Sequence, residues 1–120
     1  MAAWNIEGTD AFADWYGTLD RADQGRVDYY VGLLEERGPL LGRPYADTVN
    51  GSRFKNMKEL RVQANGDPIR IFFVFDPRQV GVLLIGGNKT GDARFYGTTM
   101  RIAEELYARH LLLLEQKHGD

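Results

Sequence analysis

Hydrophobic residues in this chain recur first at helical spacing, then at strand spacing, then at helical spacing again. Trp4-Asn5-Ile6 alternates and predicts a short opening strand. Thr9 is placed to cap a helix whose Phe12, Trp15, Tyr16 and Leu19 share one face. Asp20 caps a second helix, with Asp23 in the first turn, where the helix dipole favours negative charge. Val27, Tyr30, Val31 and Leu34 repeat the apolar stripe until Gly38-Pro39 ends it. Leu40 to Lys55, punctuated by Gly42, Pro44, Asn50 and Gly51, reads as a loop.

From Met57 the period is two. Met57 to Gln63 predicts a strand with Lys58, Leu60 and Val62 on one side and Glu59, Arg61 and Gln63 on the other. Asn65-Gly66-Asp67 is a hairpin signal. In the following strand, Pro68 to Phe75, the residues Ile69, Ile71, Phe73 and Phe75 oppose Arg70, Phe72 and Val74. Asp76-Pro77-Arg78-Gln79 turns the chain into a third strand, Val80 to Ile85. After Gly91-Asp92 a helix carries Ile102, Leu106, His110 and Leu114 on one stripe, with Ala103, Tyr107 and Leu111 beside it. Strand, two helices, three-stranded meander and helix make an α+β order, expected as one domain over residues 1–120 with the helices covering one sheet face.

Composition narrows the class. A hydrophobic fraction of 43%, with 12% aromatics, suits a packed core and argues against disorder. The absence of cysteine excludes disulfides and thiolate metal sites and suits a reducing cytoplasm. The opening residues lack a basic segment followed by a long apolar run, and the longest apolar runs are strand-sized. Neither a signal peptide nor a membrane span is expected. The net charge of −2 means that any nucleic-acid site is a local cluster of cations, not a whole-surface field. Gly86-Gly87-Asn88-Lys89-Thr90 lacks the spacing of a nucleotide-binding P-loop. His110 and His118 form neither a metal motif nor a triad and read as helix-face residues. Leu111 to Leu114 surrounds its helix with apolar surface, either half buried in the core or offered to a partner or a second copy.

The candidate chemistry lies on the polar sheet face. If Leu60, Val62, Ile69, Ile71, Phe73 and Phe75 meet the helices, the other face carries Glu59, Arg61, Gln63 and Arg70, with Asn88 and Lys89 at the end of the last strand. Arg70 is the unusual residue, a cation inside an otherwise apolar strand. In one reading it faces solvent and pairs with Glu59 across the sheet. In the other, Arg61, Arg70 and Lys89 converge on a phosphate, for which guanidinium forks are well shaped.

Three segments carry a family resemblance. They are Lys55-Asn56-Met57-Lys58-Glu59-Leu60-Arg61-Val62, Pro68-Ile69-Arg70-Ile71-Phe72-Phe73-Val74-Phe75-Asp76-Pro77 and Leu83-Leu84-Ile85-Gly86-Gly87-Asn88-Lys89. In this order and spacing the chain resembles the HigB-like, phage-derived toxin group of the RelE superfamily. Met57 stands where leucine is commoner, a volume-conserving change.

The resemblance implies a small antiparallel or mixed sheet with two N-terminal helices packed on one face and a C-terminal helix. It implies a cytoplasmic, ribosome-dependent mRNA endonuclease that directs the 2′-hydroxyl onto the adjacent phosphate without metal or cofactor. Its partners would be a helix-turn-helix antitoxin, the ribosome and mRNA, with a homodimer or antitoxin contact through the leucine-rich tail. Arg61, Arg70 and Lys89 would stabilise the phosphate, Glu59 would act as base or hold Arg61, and Tyr96 would donate a proton, stack on a base or pack in the core. Lys55, Lys58 and Asn88 would bind RNA, although alternation puts Lys58 on the Leu60 side unless the strand is bulged. The alternative within the same superfamily is a non-catalytic binding module, such as a ParE-like gyrase inhibitor or a degenerate toxin.

Overall fold

The computed structural model describes residues 3–64 and 66–118, so the expected turn residue Asn65 lies outside the described residues, as does the side chain of His118. One mixed sheet runs in the order β1-β5-β4-β3-β2. In it β1 (Ile6–Gly8) lies parallel to β5 (Gly81–Asn88). The strands β2 (Ala46–Thr48), β3 (Lys58–Ala64), β4 (Asp67–Phe75) and β5 are antiparallel neighbours. The helices are α1 (Asp10–Gly17), α2 (Arg21–Arg37) and α3 (Phe95–His118).

Local chemistry sets the helix starts. Thr9 Oγ1 accepts from the Phe12 amide at 3.0 Å and donates to the Leu84 carbonyl at 2.7 Å, so the cap of α1 also docks the helix on β5. Asp20 accepts from the Asp23 amide at 2.8 Å. Gly38, at φ 57°, ends α2 where a side chain would be strained. Two boundaries differ from expectation. The first strand begins at Ile6, past Trp4 and Asn5, because Gly81 to Leu83 of β5 pair only with Ile6 to Gly8. The segment expected as loop contains β2, whose three residues are too few to display a period.

The sheet is apolar on both faces. Leu60, Val62, Ile69, Ile71, Phe73 and Leu83 meet Val27 and Leu34 of α2, with Phe12, Trp15 and Tyr16 of α1 packed alongside. Phe72, Val74, Val82 and Leu84 form a second floor against Phe95, Ala103 and Tyr107. The expectation that the helices cover one sheet face is thereby corrected: α1 and α2 pack on one face and α3 covers the opposite one. The reason is Phe72 and Val74, which alternate with the first set and need their own cover. The buried stripe of α3 is also rotated: Ala103 and Tyr107 face the sheet while Ile102 is 42% exposed. In the tail, Leu111 and Leu114 are half-buried and Leu112 and Leu113 exposed.

One irregularity aligns the two faces. Phe72 pairs with Ile85 and Phe73 with Leu83, so Leu84 is an extra residue in β5. Leu84 and Ile85 both pack into the second core. Past them, Gly86 returns to the first face, where an added Cβ would lie 2.5 Å from the Trp15 ring, and Gly87 to the second, 2.8 Å from Phe95. The glycine pair thus lets an aromatic ring close on the sheet from each side.

The far end of the sheet is tied by a buried carboxylate. Asp76 Oδ2 lies 2.8 Å from both Arg78 Nη2 and His110 Nε2, and Oδ1 accepts from the Arg78 and Val80 amides. His110 is therefore a tether of α3, more than the helix-face residue its spacing suggested. Burial pushes the Asp76 carboxyl up, but the hydrogen bonds from Arg78, His110 and the two amides outweigh it and hold it below the usual carboxylate range.

A depressed carboxylate contributes stability above its unfolded pKa and loses it as pH falls through the folded value. Urea denaturation across the acid range should therefore show a flatter decline for Asp76→Asn than for wild type. Parallel acid limbs would contradict the tether. Gly86→Ala should cost about 1–3 kcal/mol in the same assay at neutral pH, since the methyl group meets the Trp15 ring.

Candidate functional site

α3 covers the second face only in part, and beyond it the polar residues of β3 and β4 remain. Arg61 lies directly across the ladder from Arg70, and Arg70 across from Gly87, whose missing side chain leaves room for Phe95. Phe95 seats the first turn of α3, and the next residue, Tyr96, reaches Glu59: its phenol donates to Glu59 Oε1 at 2.6 Å. Arg61 Nη1 donates to Glu59 Oε2 at 2.9 Å. Arg70 Nε lies 3.8 Å from Oε1, the oxygen Tyr96 occupies, and has no hydrogen-bond partner among the described residues. Lys89 Nζ sits 5.4 Å from the centre of the Tyr96 ring.

Arg70 does not face solvent: it is 4% exposed, as deep as Glu59 at 5%. Arg61, Arg70, Lys89, Glu59 and Tyr96 come together as one cluster. Three other candidates do not join it. Lys58 lies on the opposite face, its ammonium 3.0 Å from the Pro39 carbonyl, because β3 is unbulged and alternates regularly. Lys55 is exposed in the loop before β3, at the Phe75 end of β4, where neighbouring Asn56 donates to the Phe75 carbonyl. Asn88 pairs with Ile69 and accepts from the Thr90 amide at 2.9 Å, a turn-forming bond.

Sequence reasoning missed Arg43. It lies in the loop before β2, and two hollows meet at it and Arg61. The smaller, about 270 Å³, is lined by Asp47, Asn50, Glu59 and Tyr96 among others. The larger, about 550 Å³, is lined by Gln63, Gly66, Pro68 and Arg70 with Pro44. Arg43 pairs with Asp47 at 2.6 Å. That pair, followed by the Thr48 amide, holds the Asp47 carboxyl below its usual range. A lone arginine between turn residues carries no period, so only the arrival of β2 beside β3 reveals it.

Burial pushes the Tyr96 phenol above the ordinary tyrosine value, the Glu59 carboxylate adds to this, and Arg70 partly offsets it. At neutral pH Tyr96 therefore keeps its proton and is a donor. The arrangement can bind an anion, hold a protonated phenol beside a carboxylate, and stack a planar ring on Tyr96.

Comparison with known proteins gives the lineage. The phage-derived Gp49-like family (DUF891) matches residues 14–108. The chain belongs to this family. Two candidate toxins of Mycobacterium tuberculosis are similar to this Gp49-like chain. It is 44% identical to HigB2 over 93% of its own length and 46% identical to HigB3 over 88%. It spans 56% of the length of HigB2 and 89% of HigB3. Its fold is similar to that of the Escherichia coli toxin RelE, seen in the free state as a double arginine-to-alanine mutant. The TM-score is 0.60 over 85% of this chain and 99% of RelE, at 11% identity. The Gp49-like chain thus has HigB-named relatives and an α+β fold like that of RelE. Among the described residues no helix is long and apolar enough to cross a membrane.

Residue-resolved NMR titration should place Tyr96 above ordinary tyrosine, and Glu59→Gln should bring it down by removing the neighbouring anion. An unchanged Tyr96 titration in that variant would mean the phenol–carboxylate bond is not formed in solution.

Proposed function

We propose that this Gp49-like chain is the toxin of a toxin–antitoxin pair and cleaves messenger RNA on the ribosome. The observation that carries the reading is Glu59, buried and held between Tyr96 and Arg61, with Arg70 and Lys89 alongside. The RelE-like fold and the HigB-named relatives support the same conclusion.

Cleavage forms a bond from the ribose 2′-oxygen to phosphorus and breaks the bond to the 5′-oxygen, leaving a 2′,3′-cyclic phosphate and a 5′-hydroxyl. Because the Tyr96 phenol donates to Glu59, the two act as a unit on one side of the phosphate: the phenol oxygen takes the 2′ proton as its own passes to Glu59. Arg61 and Arg70 neutralise the charge that grows on the phosphoryl oxygens, and the Lys89 ammonium protonates the departing 5′-oxygen. Such groups are weakly matched acids and bases. The ribosome, by presenting the RNA in a reactive geometry, supplies about 7–11 kcal/mol in favourable cases. The partners under this proposal are the ribosome with its mRNA and a cognate antitoxin that covers the cationic face, with a helix-turn-helix fold in the antitoxin and cytoplasmic action.

In a purified translation system, wild type should cut mRNA, and Arg61→Ala should lower the rate by about 10²–10³-fold, as for loss of one donor to a developing oxyanion. Tyr96→Phe, which keeps the ring and removes the proton path, should fall comparably. Intact mRNA with wild type overturns the proposal, and intact mRNA accompanied by stable association with gyrase replaces it with the binding-module reading.

A further inference from the structure

We propose that the larger hollow binds a second phosphodiester of the RNA strand, flanking the reacting one, with Arg43 as its ligand. The inference rests on RNA being the ligand of the adjoining hollow.

The lining chemistry of the two hollows differs. The smaller contains the carboxylates of Glu59 and Asp47 and the Tyr96 phenol, the groups able to move a proton. The larger contains three guanidiniums, from Arg43, Arg61 and Arg70, and, among the described residues, no carboxylate. It holds no group that would take up a proton, and its charged groups attract an anion. Each arginine is held by an acceptor outside this hollow: Arg43 by Asp47, Arg61 by Glu59, and Arg70 by the Ile69 carbonyl at 3.1 Å. A guanidinium has five donors, so each retains hydrogens for a ligand. Arg70, 4% exposed, also lines this hollow, its Nε standing 3.8 Å from the Glu59 carboxylate that balances its charge.

Arg43 is suited to exchange partners. Its side chain is 75% exposed, and Nε and Nη2 both contact the same Asp47 oxygen, Oδ2, at 2.8 and 2.6 Å. An exposed, one-oxygen contact is weak compared with a two-oxygen fork on a phosphate. Asp47 thus occupies Arg43 until RNA arrives. Because Arg43 and Arg61 line both hollows, a strand crossing that boundary places successive phosphates on either side of it.

The test is binding of a short oligoribonucleotide with methylated 2′-hydroxyls, which cannot be cleaved, followed by fluorescence anisotropy over a range of salt. Arg43→Ala, which removes an exposed side chain, should reduce the slope of log K against log salt by about 0.7, the share of one phosphate contact on a single strand. Asp47→Asn should tighten binding, and the double variant should bind like Arg43→Ala alone. A polyglutamate peptide should not compete. An Arg43-independent slope, tightening that persists in the double variant, absence of wild-type binding at low salt, or effective competition by polyglutamate overturns the inference. An Arg43-dependent slope with uncut mRNA overturns only the nuclease reading, whereas cleavage with an Arg43-independent slope overturns only this one.

Discussion

The geometry of the site depends on one extra residue in β5. Leu84 and Ile85 face the same side, so side-chain parity inverts between Val82 and Lys89. In a regular strand, Lys89, seven residues beyond Val82, would lie on the face covered by α1 and α2. The inversion brings its ammonium over Tyr96 instead. It also sets Gly87 beside Arg70, where the absence of a Cβ admits Phe95 and so brings Tyr96 to Glu59. The irregularity is anchored: the Leu84 carbonyl accepts the Thr9 hydroxyl, which at the same time caps α1. Helix docking on one face and cation placement on the other therefore share a cause.

A second dependence is competition for one oxygen. Tyr96 holds Glu59 Oε1 at 2.6 Å and Arg70 Nε waits at 3.8 Å with no acceptor among the described residues. The phenol donates at full strength because burial and the carboxylate keep it protonated. The phenol and the Arg70 guanidinium thus stand at the same oxygen of one carboxylate, and the phenol holds it by the shorter contact.

Much of this was legible in the sequence. The period fixed β3, β4 and the core stripes of α1 and α2, because those elements alternate or wind without interruption, and Thr9 and Asp20 announced their caps. It placed Glu59, Arg61 and Arg70 on one face and correctly set Lys58 on the other. What it could not give depends on contacts distant along the chain. β2 is only three residues long, α3 turns to suit the Phe72 floor, and the face of Lys89 depends on a bulge that Val-Leu-Leu-Ile does not disclose. The proximity of Arg43 to Arg61 arises only when β2 pairs with β3, where the Arg61 amide donates to the Tyr45 carbonyl at 2.7 Å.

The acidic chain and its cationic cleft are reconciled by the same carboxylate. An arginine buried to 4% exposure without a nearby anion would be strongly destabilising, and three guanidiniums side by side would repel one another. Glu59, almost as buried, stands beside Arg70 and binds Arg61, so the folded chain tolerates the cluster before any ligand arrives. Its position behind the cations leaves the larger hollow, among the described residues, without a carboxylate. One buried glutamate therefore permits a strongly positive site on a protein of net charge −2, and because it also accepts from Tyr96, the group that stabilises the site is the one that the proposed cleavage uses as its proton acceptor.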